Sequence, residues 1–384
     1  MVSRTHVLVS FIIVILVFVG VGSFLFITNQ YEPPRVAVIM MEPGQGDRAL
    51  ADQTYAGLDL LTGDIVVDIT TYEINNTANA NVAAQDIIGI VDSANWEIVC
   101  AVGARLTDAT HIAATERPNQ KFALIGGESS DNNVMGSIFD VKEAAFLAGF
   151  TAALVASPIN IADMESNNTG YIALMGSRSD DLTVQEMFNG FIQGAKYAND
   201  TYLAIPSRQV HIINQDNPYF LGAYNDSEDA YTQALDWYLN EDVSLIFAPV
   251  RASIVGIRQA MFEANETLGN PNLMPNNETR RPLAIGAEGN QDFFGNPDYR
   301  ILSGPSWITT SVVLRTDYAI YDIVNQTLWG EYEGGVNLAY NYYNGGCNIT
   351  TFEFSSTYIY PIYDQWISDT VTRLNWNNGT IIIT

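Results

Sequence analysis

Histidine, cysteine and basic side chains are scarce in this chain, and each shortage removes a class of chemistry. Three histidines occur in 384 residues, at His6, His111 and His211, and none sits in a His-Glu-x-x-His pattern that would bind catalytic zinc. There is no Gly-x-Ser-x-Gly elbow, no P-loop lysine and no Cys-x-x-Cys pair. The pair Gly44-x-Gly46 lacks the rest of a dinucleotide fingerprint. Adjacent acids such as Asp180-Asp181 are expected to be solvated at the surface rather than to work as acid and base. Neither an enzyme nor a bound metal or cofactor is expected. The 17 Lys and Arg stand against 43 Asp and Glu, a net charge of −26. That balance excludes a nucleic-acid partner, because phosphate binding rests on clustered cations. With no EF-hand-like run, the acidity reads as solubility outside the cell.

Apolar material is abundant. Hydrophobic residues make up 47% of the chain, enough for more than one packed core at this length. Residues 7–27 carry no charge and are long enough to cross about 30 Å of hydrocarbon as a helix. Arg4 before them favours an inside N-terminus. A membrane anchor that keeps the globular part outside is therefore expected over residues 1–30, with a long cleaved signal as the rival. Sequons at Asn75, Asn167, Asn199, Asn225, Asn265, Asn277, Asn325, Asn348 and Asn378 point to a glycosylated, outward-facing protein. Cys100 and Cys347 could pair in an oxidising compartment, or Cys100 could be a buried thiol in its apolar strand.

From residue 35 the pattern alternates strand and helix. Strands are predicted at 35–41, 64–70, 97–102, 121–126, 133–139, 171–176, 209–214, 243–248, 282–287 and 299–303. Helices are predicted at 49–61, 80–92, 105–116, 141–157, 182–199, 227–240, 253–265 and 308–328. Such alternation implies an α/β fold with parallel sheets covered by helices. Ten strands suit two lobes joined by a hinge. The expected division is 31–140 with about 289–330 in one lobe and 141–288 with about 331–360 in the other. Residues 361–384 form an extension, and the tail from 348 carries short strand signals. Polar loops follow strands at residues 43–47, 126–130 and 286–290, and ligands in open α/β sheets bind at such strand ends. Residues 265–281 read as a surface loop.

The stretch 102–156 carries Leu106-Thr107-Asp108-Ala109, Pro118, Lys121-Phe122-Ala123, Asn133-Val134 and Glu143-Ala144-Ala145-Phe146-Leu147-Ala148-Gly149. It resembles the basic membrane protein family, the purine-nucleoside receptors that feed ABC transporters, and the likeness extends over about residues 35–340. The resemblance implies a type I periplasmic-binding-protein fold and a ligand held between two Rossmann-like lobes. It also implies a site at matching positions. Asp47 and Arg48 fall in the first loop, with Leu50 where relatives stack a phenylalanine on the base. Gly126 stands where relatives read the base with an Asp, unless Glu128 substitutes, and Met187 replaces an aromatic. Tyr224 keeps the second stacking ring. Arg251 stands where glycine is usual, and from the cleft it would favour a carboxylate or phosphate. Glu288 keeps the acid that grips ribose hydroxyls, Asn290 follows it in the same motif, and Arg315 neighbours the position of a lysine.

The expected function is an outward-facing, single-pass solute-binding protein of the cell membrane. It would deliver a nucleoside-like or other polar solute to an ABC permease. A ligand-sensing surface receptor without transport, or a receptor for a sugar or organic anion, is the alternative.

Overall fold

The computed structural model describes residues 32–75, 79–158, 168–268, 282–302 and 304–375. The apolar segment 7–27, most of the expected loop 265–281 and the sequons at Asn167, Asn277 and Asn378 lie outside them. Among the described residues no helix is long and apolar enough to cross a membrane.

Two sheets organise the chain. The first contains β1 (Arg35–Met41), β2 (Asp68–Ile74), β3 (Ile98–Val102), β4 (Phe122–Ile125), β5 (Val134–Phe139) and β12 (Asn337–Tyr340). Its order is β12-β5-β4-β3-β1-β2, with every pairing parallel. The second contains β6 (Tyr171–Gly176), β7 (His211–Ile212), β9 (Val243–Ala248), β10 (Leu283–Ala287), β11 (Ile308–Leu314) and β13 (Cys347–Ile349). Its order is β13-β11-β10-β9-β6-β7, and β8 (Tyr219–Phe220) pairs with β6 off this path. Only the edge strand β13 runs antiparallel there. The central strands are buried along their whole length and are apolar but for Ser244 in β9, as sheets covered on both faces require.

The helices are α1 (Leu50–Asp64), α2 (Ala80–Ser93), α3 (Thr107–Glu116), α4 (Lys142–Ala156), α5 (Leu182–Thr201), α6 (Ser227–Asn240), α7 (Ile254–Thr267), α8 (Thr316–Leu328) and α9 (Pro361–Asn375). Helix α4 is buried nearly all round because α5, α9, β11 and β13 surround it. Its partner α5 lies at backbone contact. A Cβ on Gly149 would stand 1.9 Å from the Phe191 carbonyl oxygen, and one on Gly194 would stand 1.9 Å from that of Phe146.

The chain crosses between sheets three times, from β5 into α4, from β11 into α8, and from β12 to β13. These crossings are tied side by side: the Asp140 amide donates to the Tyr340 carbonyl at 2.8 Å, and the Arg315 amide to that of Gly346 at 2.9 Å. Three short crossings thus join the two sheets side by side.

The structure corrects several expectations. The strand expected at 64–70 runs four residues later, as β2. Residues 299–302 form a turn rather than a strand; Ile301 is 73% exposed and Leu302 takes a left-handed φ of 50°. The single helix expected at 308–328 is instead strand β11 followed by α8, because Ile308–Leu314 is buried on both faces within the second sheet. Strand β11, expected in the first lobe, thus belongs to the second sheet, while β12, expected in the second, pairs with β5. Of the tail expected to carry strand signals from 348, residues 348–349 do belong to strand β13, whereas Pro361–Asn375 form helix α9. Cys100 and Cys347 are free and buried, which is the buried-thiol alternative for Cys100 and not the pairing, and burial pushes both thiols up. Among the sequons, Asn265 is 6% exposed inside α7. The Asn199 amide is engaged with the backbone of Val210 at 2.9 Å. Neither presents an accessible amide for glycosylation in the folded chain.

Close packing of α4 on α5 generates a prediction. Gly149→Val should cost about 3 kcal/mol by overpacking, read as a lower urea midpoint, whereas Gly63→Val, with open space around it, should stay within about 1 kcal/mol of the parent.

Candidate ligand site between the lobes

The loops after β1, β6, β9 and β10 meet at the carboxyl ends of their strands, and four acids or bases from them converge. The β1 loop brings Asp47. Its carboxylate accepts from the amides of Ala49 at 2.8 Å, Ala51 at 3.1 Å and Asp52 at 3.2 Å, anchoring the start of α1. From the β6 loop comes Asp181, which caps α5 by accepting from the Thr183 amide at 3.0 Å. The loop after β9 brings Arg251 and the one after β10 brings Glu288.

Arg251 occupies the centre and is only 5% exposed. Its Nε and Nη2 donate to the two Glu288 oxygens at 2.9 and 2.8 Å. Its guanidinium carbon lies 4.0 Å from the centre of the Tyr224 ring, and Nη2 is 3.7 Å from Asp181 Oδ2. The Tyr224 hydroxyl donates to that same oxygen at 2.9 Å. Arg251 is therefore stacked on one face and forked on one edge, the geometry a planar guanidinium satisfies best. Both Arg251 (φ 49°) and Glu288 (φ 66°) hold left-handed backbone conformations, which cost a residue with a Cβ roughly 1–2 kcal/mol each.

Burial opposes the charges of Glu288, Asp47 and Arg251. It raises Glu288 above the usual carboxylate range against the pull of Arg251. Asp47 is raised in the same way, against Arg251 and three backbone amides. Burial also works against the Arg251 cation, but Glu288, Tyr224 and Asp181 outweigh it and hold the guanidinium charged.

Beside the cluster, a cavity of about 290 Å³ is lined by Ala80, Ala104, Arg105 and Asp108 from the first lobe and Asp180, Asp181 and Leu182 from the second. Asp181 is shared between cavity and cluster. Arg105 crosses the cavity to Asp180 at 2.8 Å, and Arg178 holds the same carboxylate from its own lobe. The hydrogen bonds from Arg178 and then Arg105 keep Asp180 well below the usual carboxylate range. On the other side, Gln291 Nε2 donates to the Arg48 carbonyl at 3.2 Å and the Arg48 guanidinium sits 4.0 Å over Phe294. The lobes thus meet on both flanks of the site.

Of the residues expected from sequence, Asp47, Tyr224, Arg251 and Glu288 are brought together. Arg48 lies on the flank. Leu50 and Met187 are core residues of α1 and α5, and Gly126 ends β4 with its amide held by Ser137. Asn290 is exposed and accepts from the Asp292 amide. Arg315 lies in the hinge, forked onto Asp317 and stacked over Tyr318. Two roles change. Glu288 is engaged by Arg251 rather than offered to hydroxyls, and Arg251 is neutralised rather than free for an anion. Sequence reasoning missed Asp181, read as solvated, although an Asp just before an apolar helical run was a visible cap signal.

The fold and the interlobe site define a two-lobed binding protein with parallel sheets. The family described as ABC transporter substrate-binding protein PnrA-like matches residues 36–361, and the chain belongs to that family. The ABC transporter nucleoside-binding protein BmpA of Lactococcus lactis is 24% identical over 328 residues, 82% of this chain and 81% of that one. An uncharacterized lipoprotein of Pyrococcus abyssi is 22% identical over 304 residues, 79% of this chain and 65% of its own. An ABC transporter solute-binding protein of Aeropyrum pernix shares the fold, with a TM-score of 0.66 at 20% identity, covering 90% of this chain and 82% of the other. The fold is thus type I periplasmic-binding-protein-like, and its relatives are solute-binding proteins rather than enzymes.

Next to the site, Asp292 is buried and accepts from Ser311 Oγ at 2.5 Å and from Thr350 Oγ1. Burial pushes it up to about 7 against those two hydrogen bonds. Below pH about 4 both folded and unfolded carboxyls are protonated and its stabilising contribution is full. As pH rises to about 7 only the unfolded one ionises, so stability falls across that window by roughly 4 kcal/mol and then levels. Asp47 and Glu288, raised as well, act with the same sign. Urea melts at several pH values should show this decline, and Asp292→Asn should flatten it in part.

Proposed function

We propose that this chain is an outward-facing, membrane-held solute receptor that captures a small polar ligand of nucleoside class and delivers it to an ABC permease. The observation that carries this is the convergence of Asp47, Asp181, Tyr224, Arg251 and Glu288 where strand ends of both lobes face each other across a hinge. A stacking ring beside buried acceptors suits a planar, hydrogen-bonding solute. The nucleoside-binding name of the lactococcal relative supports the class. Membrane attachment rests on the uncharged run 7–27 and on the lipoprotein name of the Pyrococcus relative. Ligand would favour the closed arrangement through contacts to both lobes, and opening at the permease would release it.

A thermal-shift panel of nucleosides, sugars and organic anions tests the assignment. At about 100 times its Kd, a bound nucleoside adds about 2.7 kcal/mol to stability and raises the melting temperature. A shift with organic anions alone would contradict the nucleoside class.

A further inference from the structure

Arg251 lies over the face of the Tyr224 ring, 4.0 Å from its centre. Among the described residues it is the buried base that lies amid three buried carboxylates, Asp47, Asp181 and Glu288. An anionic solute would enter against that negative field and would have to take Arg251 from Glu288. A solute that replaces Arg251 meets a different requirement. It must present a flat face to Tyr224, and it must give Glu288 two hydrogen bonds, since a buried carboxylate left unpaired is costly. The room for such an exchange adjoins the cluster, because Asp181 lines the 290 Å³ interlobe cavity and also lies 3.7 Å from the Arg251 guanidinium. The backbone cost at position 251 adds weight: an arginine is held at φ 49°, where glycine sits without strain.

We infer that Arg251 is a tethered stand-in for the ligand, and that the ligand is a planar group carrying two parallel N–H donors. This rests on the reading of the cleft as the binding site and narrows it. The fork on Glu288 and the stack on Tyr224 are properties of the –N–H/–N–H edge of an amidine. A guanine-type base has that edge in its ring N–H and amino group, and a free guanidino compound has it in its guanidinium. An adenine-type base lacks it, offering one amino group beside an acceptor nitrogen. Glu288 then reads the donor edge, and Arg251 sets specificity by competing for it: a solute that cannot supply both donors does not displace the tethered guanidinium.

Titration calorimetry of the full chain with guanosine, adenosine and methylguanidine tests this, on the wild type, Arg251→Gly, and Arg251→Gly combined with Glu288→Gln. The wild type should bind guanosine or methylguanidine at least tenfold more tightly than adenosine. Arg251→Gly should bind the fork-bearing compounds at least a further tenfold more tightly, and the added Glu288→Gln should abolish their advantage. Guanosine binding without methylguanidine identifies a base as the source of the fork. Methylguanidine binding without any nucleoside supports the fork and overturns the nucleoside class. Equal affinity for guanosine and adenosine overturns the inference and leaves the nucleoside class standing, and no binding by any probe overturns both. If Arg251→Gly does not fold, the wild-type preference alone decides.

Discussion

The buried pair between Arg251 and Glu288 is the constraint around which the interlobe site is arranged. A guanidinium withdrawn from water needs a partner for its charge, a face to lie on and acceptors in its plane. Glu288 supplies the acceptors at 2.8 and 2.9 Å, and Tyr224 the face at 4.0 Å. Each support is fixed in turn. Tyr224 is held by Asp181, and Asp181 is held by the first turn of α5. Asp47 meets the cluster from the opposite lobe with its oxygens held by the start of α1. Helix N-termini therefore offset two of the three acids, and the arginine offsets the third.

That arrangement depends on topology. Parallel strands deliver the loops of each sheet to one end, and three crossings turn those ends toward each other. Residues more than 200 positions apart, such as Asp47 and Arg251, thereby share one electrostatic environment. On the flanks of the site the lobes meet through an ion pair at Asp180, a hydrogen bond to the Arg48 carbonyl and a guanidinium over Phe294. Of these, the exposed Arg105–Asp180 ion pair contributes little by itself.

Much of the scaffold was legible in the sequence because periodicity and burial agree over β1, β3, β6, β9 and helices α4 to α6. Legibility failed where they diverge. Ile308–Leu314 continues without a turn signal toward the helix that follows, so apolar content suggested one long helix; its β-branched residues were the signal for a strand. The sequence Pro361–Asn375 is rich in residues that favour strands, and packing against α4 overrides that preference. At the site, residue identity was readable and pairing was not. Arg251 and Glu288 lie 37 positions apart, and nothing local shows that one would satisfy the other. Asp181 looked like one half of a solvated acidic pair, yet its neighbour Asp180 alone faces water.

A double-mutant cycle on Arg251 and Glu288, followed by urea unfolding, tests the central claim most directly. If the pair organises the site as described, Arg251→Ala and Glu288→Ala each lose about 3–5 kcal/mol, and the double variant loses little more than either alone. That gives a coupling energy on the order of 3 kcal/mol. Additive losses, with coupling below about 0.5 kcal/mol, would contradict the account.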